Sequence, residues 1–263
     1  MDGCKNMHRF IISPEFINNG TAVISGNEAK HMRNVLRLGT GDRIIAFDGT
    51  GLEYELELVS FKGDIAYGKI LRTYDPKTEP RTKVILYQGL PKSDKMDWII
   101  QKTVELGIYK IVPVITQFSI PKVQAKDTGR KVERWNRISF EAAKQCGRVF
   151  VPRVSEPVGY ETALNHWSDM AKSHPAGSSM AVFCYEGESK KCLKDLFKCY
   201  NIECVSLIGV FIGPEGGFSH NELHLAGTHG ISPVSLGRRT LRTETAPIVV
   251  LSVIMHEMSE MLI

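Results

Sequence analysis

A glycine-rich junction between a predicted strand and a predicted helix lies at 211–219, where the sequence reads Phe211-Ile212-Gly213-Pro214-Glu215-Gly216-Gly217-Phe218-Ser219. The apolar residues over 205–212 predict a buried strand. Ser219 and Glu222 match a capping box, so a helix is predicted to begin directly after Ser219. Glycines at such a junction let the backbone approach a ligand closely and leave its N–H groups free to donate. Glycine count alone does not separate this interpretation from a tight turn without a ligand.

A second junction of the same kind reads Ser235-Leu236-Gly237-Arg238-Arg239-Thr240-Leu241-Arg242-Thr243-Glu244-Thr245-Ala246-Pro247. A short strand over 234–236 is predicted to end in a glycine loop. Thr243 or Thr245 is predicted to cap the following helix, with Pro247 in its first turn. Three arginines beside hydroxyl side chains suit an anion or a base edge. Surface arginines paired with Glu244 and other acids are the alternative interpretation.

Outside these junctions, strands alternate with helices. Strands are predicted over 83–88, 111–115 and 181–185, and helices over 94–106, 129–146 and 244–262. Such alternation indicates an α/β domain with a mainly parallel sheet.

The N-terminal segment has a different pattern. Residues 9–73 predict mostly strands, interrupted by one helix over 25–38 with an apolar stripe of Ala29, Met32, Val35 and Leu36. A small β-barrel with one helix fits this segment. The stretch 74–81 has two prolines and is the predicted linker between the two domains.

Composition excludes several classes of protein. The chain has 263 residues, of which 43% are hydrophobic and 24% charged, as is typical of globular proteins. No run of eighteen uncharged apolar residues and no signal peptide are found, so a cytoplasmic protein is expected. The six cysteines form no C-x-x-C pair and no zinc set, and we expect reduced, partly buried thiols and no metal.

The net charge of +4 is small, but the positive charge is concentrated in one segment. Residues 120–153 contain nine basic and three acidic side chains. Such a positive field attracts a polyanion, although a solvated helix face explains the charges equally well.

The glycines at 39–41 and 49–51 predict turns. Because the chain has no G-x-G-x-x-G motif, a Rossmann-fold dehydrogenase is disfavoured.

Three motifs resemble those of one known family: 212–219, Leu236-Gly237 and 241–246. The family is that of the RsmE-type 16S ribosomal RNA (uridine N3) methyltransferases, of the SPOUT superfamily, and the resemblance covers nearly the whole chain. Further matching residues are His8-Arg9-Phe10, His31, Val35-Leu36-Arg37, Gly41-Asp42, Lys92, Lys95, Gln101-Lys102, Glu105-Leu106-Gly107, Arg134-Trp135, Glu141-Ala142-Ala143, Gln145, Arg148 and Pro152. The chain departs from the family at Gln117-Phe118, where the family usually has an arginine-containing pair, and at Thr240, where it usually has isoleucine.

The resemblance implies an α/β SPOUT trefoil-knot methyltransferase domain over 74–263 and a PUA-like, RNA-binding β-barrel domain over 1–73. It implies transfer of a methyl group from S-adenosyl-L-methionine to N3 of one uridine in 16S rRNA. Three loops would hold the cofactor. The implied cofactor-binding residues are Tyr185, Glu186, Ile212, Gly213, Pro214, Glu215, Gly216, Gly217, Ser235, Leu236, Gly237, Leu241, Arg242, Thr243, Thr245 and Ala246.

The implied chemistry needs charge stabilisation. Uridine N3 holds its proton at neutral pH, and ionisation costs about 2.7 kcal/mol if its pKa lies about two units above that of the medium. Arg242 is the candidate cation, since a fixed positive charge beside O2 or O4 lowers this cost. A guanidinium does not lose its proton, so Arg242 is not the base. Glu244 is a candidate proton acceptor, but a carboxylate at a helix start is more often a dipole partner.

The resemblance also implies partners. Binding to 16S rRNA or the small ribosomal subunit would use Arg9, Lys30, Arg33, Arg37, Lys92, Arg134, Arg137 and Arg148. A homodimer is expected, with the C-terminal helix at its interface. Its apolar stripe consists of Val249, Val250, Val253, Ile254 and Met258, which burial within one subunit explains equally well. A non-catalytic RNA-binding or ribosome-assembly protein with the same fold is the alternative function.

Overall fold

The computed structural model describes residues 7–119, 125–188 and 190–261. The described chain forms two compact units. The first runs to Glu79 and includes Ala143–Val151, whereas the second consists of Pro80–Ala142 and the chain from Pro152 onward. The predicted division between residues 73 and 74 places residues 143–151 in the C-terminal domain, whereas in the structure they belong to the first unit.

The first unit is built on a six-stranded sheet in the order β1-β4-β5-β6-β3-β2. Its pairs are antiparallel except for β1 with β4. The strands are β1 Arg9–Ile11, β2 Ile17–Asn18, β3 Thr21–Ser25, β4 Arg43–Phe47, β5 Glu53–Lys62 and β6 Ile65–Tyr74. A short helix α1, Asn27–Lys30, packs Ala29 against a buried cluster that includes Phe10 and Leu56.

The helix predicted over 25–38 is shorter and less regular than expected. After α1, the chain continues as a π-helical turn over His31–Val35, where the Leu36 N–H donates to the His31 carbonyl. A π turn has more residues per turn than an α-helix and therefore shifts the side chains that follow it. As a result, the prediction that Val35 belongs to the buried stripe is wrong, because Val35 is 66% exposed whereas Met32 is fully buried.

The second unit has a parallel sheet in the order β10-β8-β7-β12-β11-β13, with β9 paired to β8. Its strands are β7 Lys83–Gly89, β8 Lys110–Ile115, β9 Arg153–Val154, β10 Val158–Gly159, β11 Ser179–Cys184, β12 Leu207–Ile212 and β13 Pro233–Val234. Its helices are α2 Lys95–Glu105, α3 Ala125–Cys146, α4 Tyr160–Lys172, α5 Leu193–Phe197, α6 His220–Thr228 and α7 Ala246–Glu257, although the end of α3 from Ala143 onward belongs to the first unit. The predicted α/β class with a parallel sheet is confirmed.

The central strand β12 is buried along its whole length, as expected for a parallel strand covered on both faces. On one face, the Tyr87 ring stacks on the Phe211 ring with centroids 4.4 Å apart. Helix α4 covers this face with Leu164 and Trp167. Helix α4 was not predicted from the sequence, although its apolar residues have helical spacing.

Several predicted bounds need correction. β13 ends at Val234 rather than at residue 236, and α7 spans Ala246–Glu257 rather than 244–262, of which residue 262 lies outside the described chain. The stripe on α7 is largely internal, because Val250, Ile254 and Met258 are buried. Cys146, Cys192, Cys199 and Cys204 are exposed rather than partly buried. Within the described ranges, none of the helices has the length and apolar character that a membrane span requires.

Candidate active site

A cavity of about 390 Å³ lies at the carboxyl ends of three neighbouring strands, β12, β11 and β13. The loops that follow Cys184, Ile212 and Val234 form most of its wall. Open parallel sheets bind ligands at this edge. The volume is typical of a site for a small molecule or cofactor.

The cavity brings together most of the predicted cofactor-binding residues. Fourteen of the sixteen line it: Tyr185, Glu186, Ile212, Gly213, Pro214, Glu215, Gly217, Ser235, Leu236, Gly237, Leu241, Arg242, Thr243 and Ala246. Gly216 and Thr245 are not part of the wall. Six further lining residues were not predicted from the sequence: Lys95, Cys184, Phe218, Arg238, Arg239 and Thr240.

The first glycine junction forms a tight turn at the cavity. The Gly217 N–H donates to the Pro214 carbonyl at 2.9 Å, and Gly217 has a φ of +68°, a conformation that favours glycine. Gly216 lies against Phe118 instead of the cavity, since a Cβ on Gly216 would be 2.8 Å from the Phe118 Cβ. The predicted capping box is confirmed: Ser219 caps α6, and the Glu222 carboxylate accepts the Ser219 N–H.

Thr243, one of the two residues predicted to cap the following helix, instead joins the two glycine junctions. Its hydroxyl donates to the Gly213 carbonyl at 2.7 Å and accepts from the buried side-chain amide of Gln88 at 3.1 Å. Thr245 occupies the N-cap of α7, but its side chain makes no capping hydrogen bond. The Arg242 carbonyl instead accepts the N–H groups of Thr245 and Ala246.

Lys95 makes a second link between the junctions. Its Nζ lies 2.9 Å from Glu215 and 3.1 Å from Glu244, which stand on different loops. Hydrogen bonding to Glu215 raises the pKa of Lys95 above its usual value. Burial acts to raise the pKa of Glu215, but the hydrogen bonds it accepts from Lys95 and from the Lys92 N–H lower it overall. The Glu244 carboxylate, a candidate base, therefore has a cation as its neighbour.

Three arginines form part of the cavity wall: Arg238, Arg239 and Arg242. All three are exposed. Within the part of the chain that the structure describes, no hydrogen bond or ion pair engages their guanidinium groups. Glu244, the acid that the alternative interpretation paired with them, binds Lys95. These charges are consequently available to an anionic ligand or to charge that develops on one.

The predicted RNA-binding residues differ in exposure. Lys30 and Arg134 are exposed but paired, with Asp64 and Asp97 respectively. Arg9 is mostly buried and lies 3.1 Å from Glu53. Also exposed are Arg33, Arg37, Lys92 and Arg137. Side chains 120–127 of the basic segment lie outside the described residues.

Arg148, which was predicted to bind RNA, is buried and paired with an acid. Its side chain is 6% exposed and donates to the Glu79 carboxylate through Nε at 3.1 Å and through a terminal nitrogen at 2.6 Å. Glu79 also accepts the backbone N–H groups of Val149 and Phe150. This arrangement anchors residues 148–150 within the first unit and leaves the guanidinium without an exposed face for RNA.

Two family models match the chain. An RNA methyltransferase domain matches residues 77–255, and an RNA methyltransferase PUA domain matches residues 24–71. The chain therefore belongs to the class of RNA methyltransferases that carry a PUA domain. The predicted α/β fold with an N-terminal PUA-like domain is confirmed, while the trefoil knot stays a prediction.

Named relatives specify the family. Ribosomal RNA small subunit methyltransferase E of Bacillus subtilis is 35% identical over 90% of this chain and 90% of its own length. The protein of the same name from Synechocystis is 31% identical over 93% of this chain and 76% of its own length. The chain belongs to the ribosomal RNA small subunit methyltransferase E family, as the sequence motifs predicted.

Solved structures agree. The Neisseria gonorrhoeae ribosomal RNA small subunit methyltransferase E, solved with bound S-adenosyl methionine, has a TM-score of 0.81 and 29% identity, covering 96% of this chain and 98% of that one. A methyltransferase from Legionella pneumophila, solved with the same cofactor, has a TM-score of 0.80 and 28% identity over the same shares of the two chains.

Proposed function

We propose that this protein transfers a methyl group from S-adenosylmethionine to N3 of one uridine in the 16S rRNA of the small ribosomal subunit. The observation that carries the proposal is the cavity enclosed by three loops at the carboxyl edge of the sheet, with three exposed arginines in its wall. The names of the family's members and the cofactor in two related structures support it.

The cavity fits the cofactor in size and chemistry. Leu236 and Leu241 offer apolar surface for an adenine ring, and the glycine junctions offer backbone donors and acceptors for its edge. The Glu186 carboxylate approaches Gly217 in the wall and suits a hydroxyl or ammonium group. When bound, S-adenosylmethionine supplies the methyl group from its sulfonium.

Arg242 acts on the uridine. A guanidinium in the cavity wall stabilises negative charge on the uracil oxygens as the N3 proton leaves, and this lowers the cost of ionisation. The proton goes to water or to a nearby carboxylate, with Glu244 as the candidate that the sequence suggests. Placement of N3 in line with the methyl group supplies further rate enhancement.

The exposed basic side chains bind RNA phosphates. We assign this role to Arg33 and Arg37 in the first unit and to Lys92 and Arg137 in the second, with the paired Lys30 and Arg134 as further contacts. Arg148 is not assigned to phosphate binding because it is buried, and Arg9, which is mostly buried, contributes little to it. The target base must be unpaired or flipped to enter the cavity.

We also propose that the protein is a cytoplasmic homodimer. On α7, Val253 is 36% exposed and Val249 is half-buried, so a narrow apolar strip remains uncovered within one subunit. Sedimentation of the wild type and of Val253→Asp tests this proposal. We expect a dimer for the wild type and a monomer for the variant, whereas a monomeric wild type would refute it.

Calorimetric titration with S-adenosylhomocysteine, followed by a methyl-transfer assay on 16S rRNA and on small subunits, tests the activity. We expect saturable binding near one per protomer and N3-methyluridine in the product. A folded protein that binds RNA but neither binds S-adenosylhomocysteine nor transfers a methyl group, with or without RNA, would instead be a non-catalytic RNA-binding protein.

A further inference from the structure

An aromatic ring stands exposed beside the glycine junction. Phe118 follows β8 and is 44% exposed. Isolated apolar residues are common on protein surfaces and need no explanation by themselves. Phe118 differs from such residues in how firmly its backbone is held and in what its side chain touches.

The backbone on both sides of Phe118 is fixed by hydrogen bonds. The Ser119 N–H donates to the Thr116 carbonyl at 3.1 Å, and the hydroxyls of Ser119 and Thr116 lie 2.9 Å apart. The Gln117 N–H donates to the buried Glu222 carboxylate at 2.8 Å. Because the turn is held at three points, the exposed ring does not belong to a loosely tethered loop.

The ring also lies against the proposed cofactor site. A Cβ on Gly216 would be 2.8 Å from the Phe118 Cβ and 3.3 Å from its Cγ, so glycine at this position lets the two segments touch. The neighbours of Gly216, Glu215 and Gly217, both line the cavity. Gly216 therefore lies between Phe118 and the cavity wall.

The chemistry of the Phe118 side chain suits one kind of contact with RNA. Phenylalanine has no charge for a phosphate but offers a flat aromatic surface on which an unpaired base can stack. Stacking on aromatic rings tolerates any base and is a common way to hold unpaired RNA.

We propose that Phe118 stacks on an unpaired base that flanks the target uridine and so positions the RNA strand at the cavity. This inference rests on the proposed function. It makes Phe118 a positioning residue, because the ring contacts a neighbouring base and takes no part in moving the proton or the methyl group.

Phe118→Ala and Phe118→Trp test the inference, with steady-state methylation of 16S rRNA as the assay. Loss of one stacked base weakens binding by roughly 5- to 150-fold, so we expect KM for RNA to rise by that factor in Phe118→Ala. We expect Phe118→Trp to restore it, and S-adenosylhomocysteine affinity to stay within about two-fold. Phe16→Ala is the matched control, because Phe16 is also 44% exposed.

A second readout separates stacking from a structural role. In Phe118→Trp, RNA should quench the added indole fluorescence relative to the wild-type background, as a stacked base does. An unchanged KM in Phe118→Ala, an equal effect of Phe16→Ala, or an equal loss of S-adenosylhomocysteine affinity would each overturn the inference. A change in sedimentation without a change in KM would assign the ring to contact with a second copy. A wild type without methyl transfer would refute the proposed function itself.

Discussion

The hydroxyl of Thr243 donates a hydrogen bond to the carbonyl of Gly213 at 2.7 Å, and these two residues belong to different loops of the cavity wall. The side-chain amide of Gln88, fully buried at the end of β7, donates to the same hydroxyl. The two loops are thus held together by the protein itself before any ligand binds. Preorganisation of this kind reduces the ordering cost of binding.

Thr243→Val tests this link. Valine keeps the shape of the side chain but leaves the Gly213 carbonyl and one Gln88 donor without their partner, at a cost of about 1–3 kcal/mol in the free energy of unfolding. We expect weaker binding of S-adenosylhomocysteine as well. Denaturant unfolding and calorimetry measure the two effects. Thr243→Ser keeps the hydroxyl and should remain close to the wild type, and a similar loss in both variants would contradict this explanation.

Lys95→Met removes the cation between Glu215 and Glu244. The pair is partly exposed, so we expect a loss of at most about 1 kcal/mol in the free energy of unfolding at neutral pH. Cofactor affinity should fall more clearly, since the two carboxylates then repel each other across the cavity wall. Lys102→Met is the matched control, because Lys102 forms an ion pair with Glu105 on the same helix, away from the cavity wall.

The same ion pair predicts a pH dependence. The pKa of Glu215 is lowered from 4.5, so its contribution is complete above that value and is lost as pH falls through the lowered pKa. The pKa of Lys95 is raised from 10.5, so its contribution is complete below that value and is lost at still higher pH. The stability difference between wild type and Lys95→Met should stay constant from about pH 5 to pH 10. A difference that does not decrease as pH falls through the acid range would rule out the ion pair as its source.

Gly216→Val should abolish detectable binding of S-adenosylhomocysteine although Gly216 is not part of the cavity wall. Its new Cβ meets the Phe118 Cβ at 2.8 Å, which forces the glycine junction or the Phe118 turn to move. Adding Phe118→Gly removes the clashing atoms and should restore part of the affinity. A double variant that is no better than Gly216→Val would show that the collision with Phe118 is not the cause.

Arg242→Ala should lower turnover by about 10²- to 10³-fold and change S-adenosylhomocysteine affinity far less, because the guanidinium is needed where negative charge develops. Single-turnover methylation with saturating cofactor and RNA measures the chemical step. Arg242→Lys keeps the charge and should retain part of the rate. Unaltered turnover in Arg242→Ala would remove this residue from the proposed mechanism.

Arg137→Ala and Arg148→Ala should behave in opposite ways. Arg137 is exposed, so its loss should weaken RNA binding and reduce the dependence of affinity on salt. Arg148 is buried against Glu79, so its loss should cost about 2 kcal/mol in the free energy of unfolding. Filter binding at several salt concentrations and denaturant unfolding distinguish the two. A stable Arg148→Ala protein with weak RNA binding would restore Arg148 to the RNA-binding set.

The features that the sequence predicted correctly depend on residues close together in the chain. Ser219 and Glu222 identify the start of α6 because a capping box spans only three residues. The glycine junctions identify two of the three loops of the cavity wall for the same reason. Contacts between distant residues leave no such local pattern. The partner of Arg148, Glu79, lies 69 residues away in the sequence. Lys95 reaches the cavity wall from α2, which is far in the sequence from both glycine junctions.

Regular periodicity also fails where the backbone is irregular. The π turn over His31–Val35 turns Val35 outward, and a spacing rule based on an α-helix does not anticipate it. Thr243 has the residue type and position of a cap, but a tertiary hydrogen bond to Gly213 takes its hydroxyl. In both cases the three-dimensional neighbours determine the outcome.

The Glu222 carboxylate has a consequence for how two ligands affect each other's affinity. One of its oxygens holds the Phe118 turn through the Gln117 N–H, and the other holds the end of the glycine junction through Ser219. In the proposed complex, an RNA base stacked on Phe118 and a cofactor bound at the glycine junction therefore act on a single shared anchor. Thermodynamic linkage then requires symmetry. The factor by which bound RNA raises the affinity for the cofactor equals the factor by which bound cofactor raises the affinity for RNA, whichever binds first.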